Sequence, residues 1–391
     1  MTEQDKHTSQ PPKRRRIRRV MIRLSIVLLV TSALFEVGLR VLLFSDNSRI
    51  ANIARDLRSP GNFGHRWSTQ YWKLQYLFSN RENRKPPPNV DKRVGWRGHR
   101  LDAKHRHKEL DSLGASTPVM LYGDSFAERT SWETTWSSLL ESSDQGADRK
   151  LLNFGVGGYG FDQAFLSFMF TIDSATKHDP IVVMSVLIDD DLDRANLAFR
   201  GWPKPYLDPD ATGFDFSNGL GVDSETWLNE NPPKVSSYAW RYLIHGAEFL
   251  PAPWRNKIGG RLEAWADTRR VCRKILSKLD REFRKRKLQS FVLIFHGKGQ
   301  LEKGADSGWR ESFMTRELDR LGLPYVSTRT DFERDRKASK RKWTDYVAEK
   351  GDRRGHYTEV GNEVSFLALE RGLRGEFDGS GKILRRGAKK D

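Results

Sequence analysis

One cysteine in 391 residues, Cys272, excludes an internal disulfide framework. Its helical spacing with Ile275, Leu279 and Phe283 puts it on an apolar stripe, where filling a core is its expected role. Three catalytic signatures are missing as well: no Gly-x-Ser-x-Gly elbow, no Gly-x-x-x-x-Gly-Lys phosphate loop and no His-Glu-x-x-His zinc helix occurs. Long apolar runs are scarce. The charge-free stretch 24–35 is extended by 37–44, with interruptions at Glu36 and Arg40.

The formal net charge of +17 suggests nucleic acid, but its distribution argues otherwise. About half of the excess lies at the two ends, with seven basic against two acidic residues in 1–19 and five against one in 379–391. The rest is diluted among acids, as in Asp280-Arg281-Glu282-Phe283-Arg284, a pattern of solvated helix faces. No nucleic-acid partner is expected. A moderately basic surface suits an anionic polysaccharide or a membrane surface.

Lys13-Arg14-Arg15-Arg16 and Arg18-Arg19 precede the apolar run, so the amino terminus is expected in the cytoplasm and the remainder outside, periplasmic in a Gram-negative cell. The charge-free core of 24–35 is shorter than the ~20 residues a span needs. Glu36 and Arg40 are spaced to pair on one helix face, and Arg40 can snorkel to the far interface. No Ala-x-Ala site follows, which favours an uncleaved signal anchor over a cleaved signal peptide.

The chemistry is concentrated in three places. Gly123-Asp124-Ser125-Phe126 stands directly behind the apolar run Val119-Met120-Leu121-Tyr122. A buried parallel strand ending in a glycine turn delivers Ser125 to the carboxyl edge of its sheet, where open α/β folds keep their ligands. Trp132, Trp136, Leu139 and Leu140 then recur at helical spacing. By itself the serine reads equally well as a helix cap. The second place is Asn153-Phe154-Gly155-Val156-Gly157-Gly158-Tyr159-Gly160, whose glycines indicate close backbone approach or positive φ. The third is His356, in a glycine-flanked loop before the helical pattern Val360, Val364, Leu367.

Together these motifs resemble the SGNH (GDSL-like) hydrolase family over roughly residues 118–372. The resemblance implies a flavodoxin-like three-layer α/β/α fold with a central parallel sheet, here preceded by one N-terminal transmembrane helix. It also implies Ser125 as nucleophile, His356 as base, and the N–H groups of Ser125 and Gly158 as oxyanion donors. Two departures stand out. Where the family carries Gly-x-Asn-Asp, this chain reads Ile188-Asp189-Asp190-Asp191-Leu192-Asp193-Arg194, so Asp189 or Asp190 replaces a neutral donor. Such a carboxylate must be protonated, turned away, or used to orient another group, and its neighbouring aspartates help to raise a pKa. The family acid three residues before the histidine is Arg353 here; Asp352 is the candidate, with a Ser-His dyad as the alternative.

Other readings lose ground. Gly155, Gly157 and Gly160 fit Gly-x-Gly-x-x-Gly, but the next acidic strand end comes about 29 residues later, against the ~20 of a ribose contact. The aspartate cluster has no second carboxylate cluster to complete a metal site. No cofactor or metal is expected. His296, after the apolar run 291–295, is a reserve base or substrate contact.

Strands are expected at 119–122, 151–154, 181–188, 290–295 and 324–327. The chain is read as a basic cytoplasmic tail (1–19), a signal anchor (20–44), a connecting region with Pro86-Pro87-Pro88 (45–117), the hydrolase domain (118–375) and a basic tail (376–391). An irregular insertion at about 197–260 carries Trp202, Tyr206, Trp227, Trp240 and Trp254, which either stack on sugars or pack the insertion itself. The expected activity is that of a membrane-anchored extracytoplasmic esterase or O-acyltransferase, acting on acetyl or other ester groups of a carbohydrate. The rivals are a non-catalytic carbohydrate-binding protein and an assembly partner in a membrane-bound synthesis complex, touching its partners through Glu36 and Arg40.

Overall fold

In the computed structural model the described residues are 13–45, 47–64, 69–78, 90–128, 134–197, 200, 204–210, 212–215, 224–246, 251, 254, 261–304, 308–351 and 354–379. The chain divides into two compact units, one of residues 1–80 and 232–259, the other of residues 81–231 and 260–391. Residues 232–259, within the stretch read as an insertion, thus belong with the amino-terminal segment. Trp227 is buried, Trp240 and Trp254 are exposed, and Trp132, Trp202 and Pro86 to Pro88 lie outside the described residues.

In the larger unit the apolar runs form strands as expected. The five strands of the central sheet are β1 (Thr117–Gly123), β2 (Arg149–Gly155), β3 (Ile181–Leu187), β4 (Gln289–Phe295) and β5 (Tyr325–Ser327). All pairings are parallel, in the order β2-β1-β3-β4-β5. Every residue of β3 is buried, which is why it reads as an unbroken apolar run rather than an alternating one.

Side chains leave each strand alternately to two cores. Met120 and Tyr122 enter one, Val119 and Leu121 the other. The first core is closed by the helices Phe161–Thr171, Arg261–Arg286 and Trp309–Leu321, with Cys272 fully buried among Val271, Ile275 and Leu279 as filler. The second is closed by Trp136–Glu141, Thr328–Ser339 and Glu359–Arg374. This is the three-layer α/β/α arrangement with flavodoxin-like strand order. Because the winding direction reverses between β1 and β3, a crevice opens beyond their carboxyl ends, where sheets of this kind bind ligands.

In the smaller unit a single helix runs from Lys13 to Phe44, and its portion Ile17–Phe44 is long and apolar enough to cross a membrane. Most of its apolar side chains, among them Leu28, Leu29 and Leu34, are exposed, whereas Leu39 and Leu43 are buried. Leu43 joins a small core with Phe63, Leu74, Val235 and Tyr238. Glu36 and Arg40 pair at 2.6 Å, as their spacing predicts. The pair is also engaged within the chain. The Glu36 carboxylate accepts from Ser237 Oγ (2.9 Å), Tyr238 N (3.1 Å) and Ala239 N (2.8 Å), capping the helix Tyr238–His245. Arg40 donates to Ser236 O at 3.3 Å and lies over the Tyr238 ring. Glu36→Ala is expected to free those donors and to loosen Tyr238–His245 by about 1 kcal/mol or more. Hydrogen exchange on the full chain in detergent checks this, and unchanged protection of that helix would contradict the cap.

Candidate active site

Ser125 is presented by a turn whose backbone has no room to spare. A Cβ on Gly123 would lie 1.9 Å from Ser185 Oγ, so glycine is required there for closeness rather than for its dihedral freedom. Asp124 then accepts from Phe126 N at 2.8 Å, turning the chain into the short helix Ser125–Glu128. The helical pattern read from Trp132 onward resolves differently. A new helix, Trp136–Glu141, starts under its own capping box between Thr135 and Ser138.

His356 meets this serine. Its Nε2 lies 2.8 Å from Ser125 Oγ, and its ring stacks on Phe126 with 5.2 Å between centroids. The loop that carries it is pinned by Gly355 N donating to Ala348 O (2.8 Å) and Ala348 N donating to His356 O (2.9 Å). Asp352 lies outside the described residues. Among the described residues no carboxylate accepts from His356 Nδ1.

The glycine loop brings Gly158 to the same cleft. Tyr159 N donates to Val156 O at 3.1 Å, and Gly158 at the third turn position has φ +82°, the geometry of a type II turn. The Gly158 N–H has no acceptor among the described residues, and Gly158 lines the cleft together with Ser125 and His356. Trp96 Nε1 donates to Gly157 O at 3.0 Å. That carbonyl and the Gly158 N–H belong to one rigid peptide plane, so the indole fixes where the N–H points. Asn153 ties the loop to the short helix Ser125–Glu128: its Nδ2 donates to Ala127 O (2.6 Å) and its Oδ1 accepts from Gly155 N (2.8 Å). The helix start that a dinucleotide fingerprint would leave open to a pyrophosphate is filled by Asp162, buried in the first turn of Phe161–Thr171 and paired with the buried Lys204.

The aspartate run is divided among several tasks. Arg194 Nη1 donates to Asp124 Oδ2 (3.1 Å), Asp191 Oδ1 (3.0 Å) and Tyr159 O (3.2 Å), and its Nη2 donates to Asp190 Oδ2 (2.9 Å). Asp190 and Asp191 are thereby turned toward the guanidinium. Burial pushes Asp191 well above the usual carboxylate range, with the nearby Asp124 adding to the effect. Asp193 pairs with Arg310 at 2.8 Å. Asp189 lines the cleft, and its Oδ1 has no hydrogen-bond partner among the described residues. Burial raises its pKa, opposed by His296, with Asp190 pushing further upward. His296 itself is fully buried, with Nε2 on Glu311 (2.9 Å) and Nδ1 on Thr328 Oγ1 (3.1 Å). It supports the layer beneath the cleft and does not serve as the reserve base.

The cleft has a volume of about 560 Å³, and Arg200 and Arg354 also line it. Sequence reasoning missed Arg194, Trp96 and Arg200. Arg194 had a signal, since it follows Asp190 and Asp191 at helical pairing distances. The other two arrive from segments with no motif of their own.

Two outcomes follow from this geometry. Trp96→Phe keeps an aromatic edge against Tyr159 but deletes the donor to Gly157 O, and is expected to slow fluorophosphonate labelling of Ser125 by roughly tenfold. An unchanged labelling rate would separate Trp96 from the site. Because the folded-state pKa of Asp189 is raised, the folded chain holds its proton more tightly than the unfolded chain. Its contribution to stability therefore declines as pH rises from the ordinary carboxylate value of about 3.9 to the raised one. Asp189→Asn is expected to flatten that decline in urea denaturation measured across the window, and identical slopes would refute a buried, proton-holding Asp189.

No protein-family model and no curated protein matches the sequence. Among solved structures, the chain is similar to an acetyl xylan esterase at 13% identity and TM-score 0.37, over 65% of this chain and 98% of that one. It is similar to an acetylxylan esterase from Geobacillus stearothermophilus at 11% identity and TM-score 0.36, over 70% of this chain and 99% of that one. An alpha/beta hydrolase enzyme from the metagenome of Lake Arreo, Spain, matches at 13% identity and TM-score 0.35, over 68% of this chain and 98% of that one.

Proposed function

We propose that the chain is a membrane-anchored, extracytoplasmic serine esterase or O-acyltransferase of the SGNH type, acting on acetyl or other ester groups of a carbohydrate. One observation carries this reading: the 2.8 Å contact between Ser125 Oγ and His356 Nε2 at the switch-point crevice of a parallel α/β sheet. A serine that only capped a helix would have no need of an imidazole against its hydroxyl. The open N–H of Gly158 on the same cleft adds an oxyanion donor, and the Ser125 N–H is the second.

In the reaction, His356 Nε2 takes the Ser125 proton as Oγ attacks the ester carbonyl. The tetrahedral oxyanion is held by the two N–H groups. Collapse breaks the ester bond, the imidazolium returns its proton to the departing sugar oxygen, and an acyl-serine remains. Water, deprotonated by His356, then releases the free acid; a sugar hydroxyl in its place accepts the acyl group instead. The same residues serve both outcomes. The helix Ile17–Phe44 would be the anchor, with the basic residues before it held in the cytoplasm.

A second reading, a non-catalytic carbohydrate-binding or assembly protein, is favoured by Asp189, a carboxyl where the family carries a neutral donor. Acetyl-ester hydrolysis and fluorophosphonate labelling by the full chain in detergent separate the two. Truncation at Asn47 is unsuitable, because it removes Glu36, Leu39, Arg40 and Leu43 from the smaller unit. Ser125→Ala is expected to abolish labelling and to lower turnover by at least about 10³-fold with the fold intact. Turnover that survives Ser125→Ala, or a folded wild type that is neither labelled nor active, would overturn the esterase assignment.

A further inference from the structure

The charges around the cleft do not balance one another. Of its basic side chains, Arg194 is neutralised by Asp124, Asp190 and Asp191. Lys298 is paired with Glu349 and with Glu302 at 3.6 Å. Arg200 and Arg354 differ. Both line the cleft, and among the described residues neither guanidinium meets a carboxylate. The one side-chain hydrogen bond found for Arg200 there goes to the Gly158 carbonyl. Arg200 is half-buried, so its charge stands partly out of water with no carboxylate in salt-bridge contact among the described residues, an arrangement that a directly bound anion would complete. Burial and then the like charge of Arg194 lower its pKa to about 10, against an upward pull from the more distant carboxylates of Asp190, Asp191 and Asp124. On the acidic side, Asp190 is directed to Arg194, and the raised pKa of Asp189 favours its neutral form.

Their positions relative to the reacting groups matter. Arg200 hydrogen-bonds the carbonyl of Gly158, which lines the cleft, and Arg354 precedes His356 by two residues. A substrate whose ester reaches Ser125 therefore shares its cleft with two guanidiniums that make no salt bridge among the described residues, groups whose planar forks suit carboxylate and phosphate oxygens. We propose that Arg200 and Arg354 form an anion subsite beside Ser125, so that the carbohydrate ester this site takes bears a negatively charged carboxylate or phosphate close to the reacting acyl group. This rests on the esterase reading and narrows its substrate class.

The test uses the full chain in detergent with acetylated oligogalacturonides, the same oligosaccharides with their carboxylates methyl-esterified, and an acetylated glucose 1-phosphate. The free-acid or phosphate form is expected to exceed the methyl-esterified form in kcat/KM by roughly tenfold or more, and that preference should shrink with added salt. Arg200→Gln is expected to remove most of the preference, and the more exposed Arg354→Gln roughly a half of it or less. Equal kcat/KM for charged and uncharged forms, with turnover still dependent on Ser125, would overturn the anion subsite and leave the esterase standing. If no form is turned over, the esterase reading fails and binding decides the inference. Oligogalacturonide or glucose 1-phosphate that binds Ser125→Ala protein and is lost on adding Arg200→Gln and Arg354→Gln upholds the subsite; absence of binding by either ligand, or binding indifferent to both arginines, overturns it.

Discussion

The Arg194 guanidinium is the group around which the cleft is built. It reaches the turn that carries Ser125 through Asp124, the loop after β3 through Asp190 and Asp191, and the glycine loop through the Tyr159 carbonyl. Three segments far apart in sequence thus converge on one side chain at the reversal point of the sheet. Burial alone would lower the Arg194 pKa, but Asp191, Asp124 and Asp190 more than reverse this, so it stays charged. The dependence is mutual. Asp124 and Asp191 are almost fully buried, and without the guanidinium they would be carboxylates in a poorly solvated site, a loss of several kcal/mol. Asp124 also accepts from Phe126 N, so the arginine acts on the direction of the serine through a single intervening carboxylate.

The fold was legible because it is local physics repeated. Apolar runs bounded by glycine and polar turns became the five parallel strands with ends displaced by two residues or fewer. The pairing of Ser125 with His356 was legible because a strand-end serine and a loop histidine each leave a short signature. The aspartate run was visible, but its role was not, since a carboxylate near an oxyanion position looks like a defect until its partner is known. Trp96 and Arg200 were illegible for a different reason. Each acts through a side chain meeting backbone carbonyls of the glycine loop, and nothing in a tryptophan or arginine at a loop position announces which distant carbonyl it will find. The helix pattern after Ser125 misled because apolar spacing does not reveal the interruption before the cap at Thr135.

The amino-terminal helix shows how one charged pair can satisfy two demands. A glutamate and an arginine near the end of an apolar helix are costly unless they neutralise each other, and the i,i+4 spacing provides for that. The same carboxylate then accepts from the exposed backbone donors of Tyr238 and Ala239, which a helix start leaves without internal partners. Leu39 and Leu43, on the same face of the helix, are buried while its other apolar side chains stay exposed. The polar interruptions that make the apolar run look too short to span are therefore the residues that fasten the rest of the smaller unit to it.

The same economy bears on the missing asparagine. An amide offers an oxyanion a hydrogen-bond donor, and so does a carboxylic acid that keeps its proton, as apolar oxyanion sites in other enzymes do with raised-pKa aspartates. Asp189 has features that favour this: burial opposes its charge more than His296 supports it, Asp190 repels it further, and its Oδ1 has no partner among the described residues. Ionised, it would repel the tetrahedral intermediate; protonated, it matches the amide in function. A chain that replaces a neutral donor by an acid can then retain its chemistry on the acidic side of that pKa, and the substitution becomes a question of pH rather than of lost catalysis.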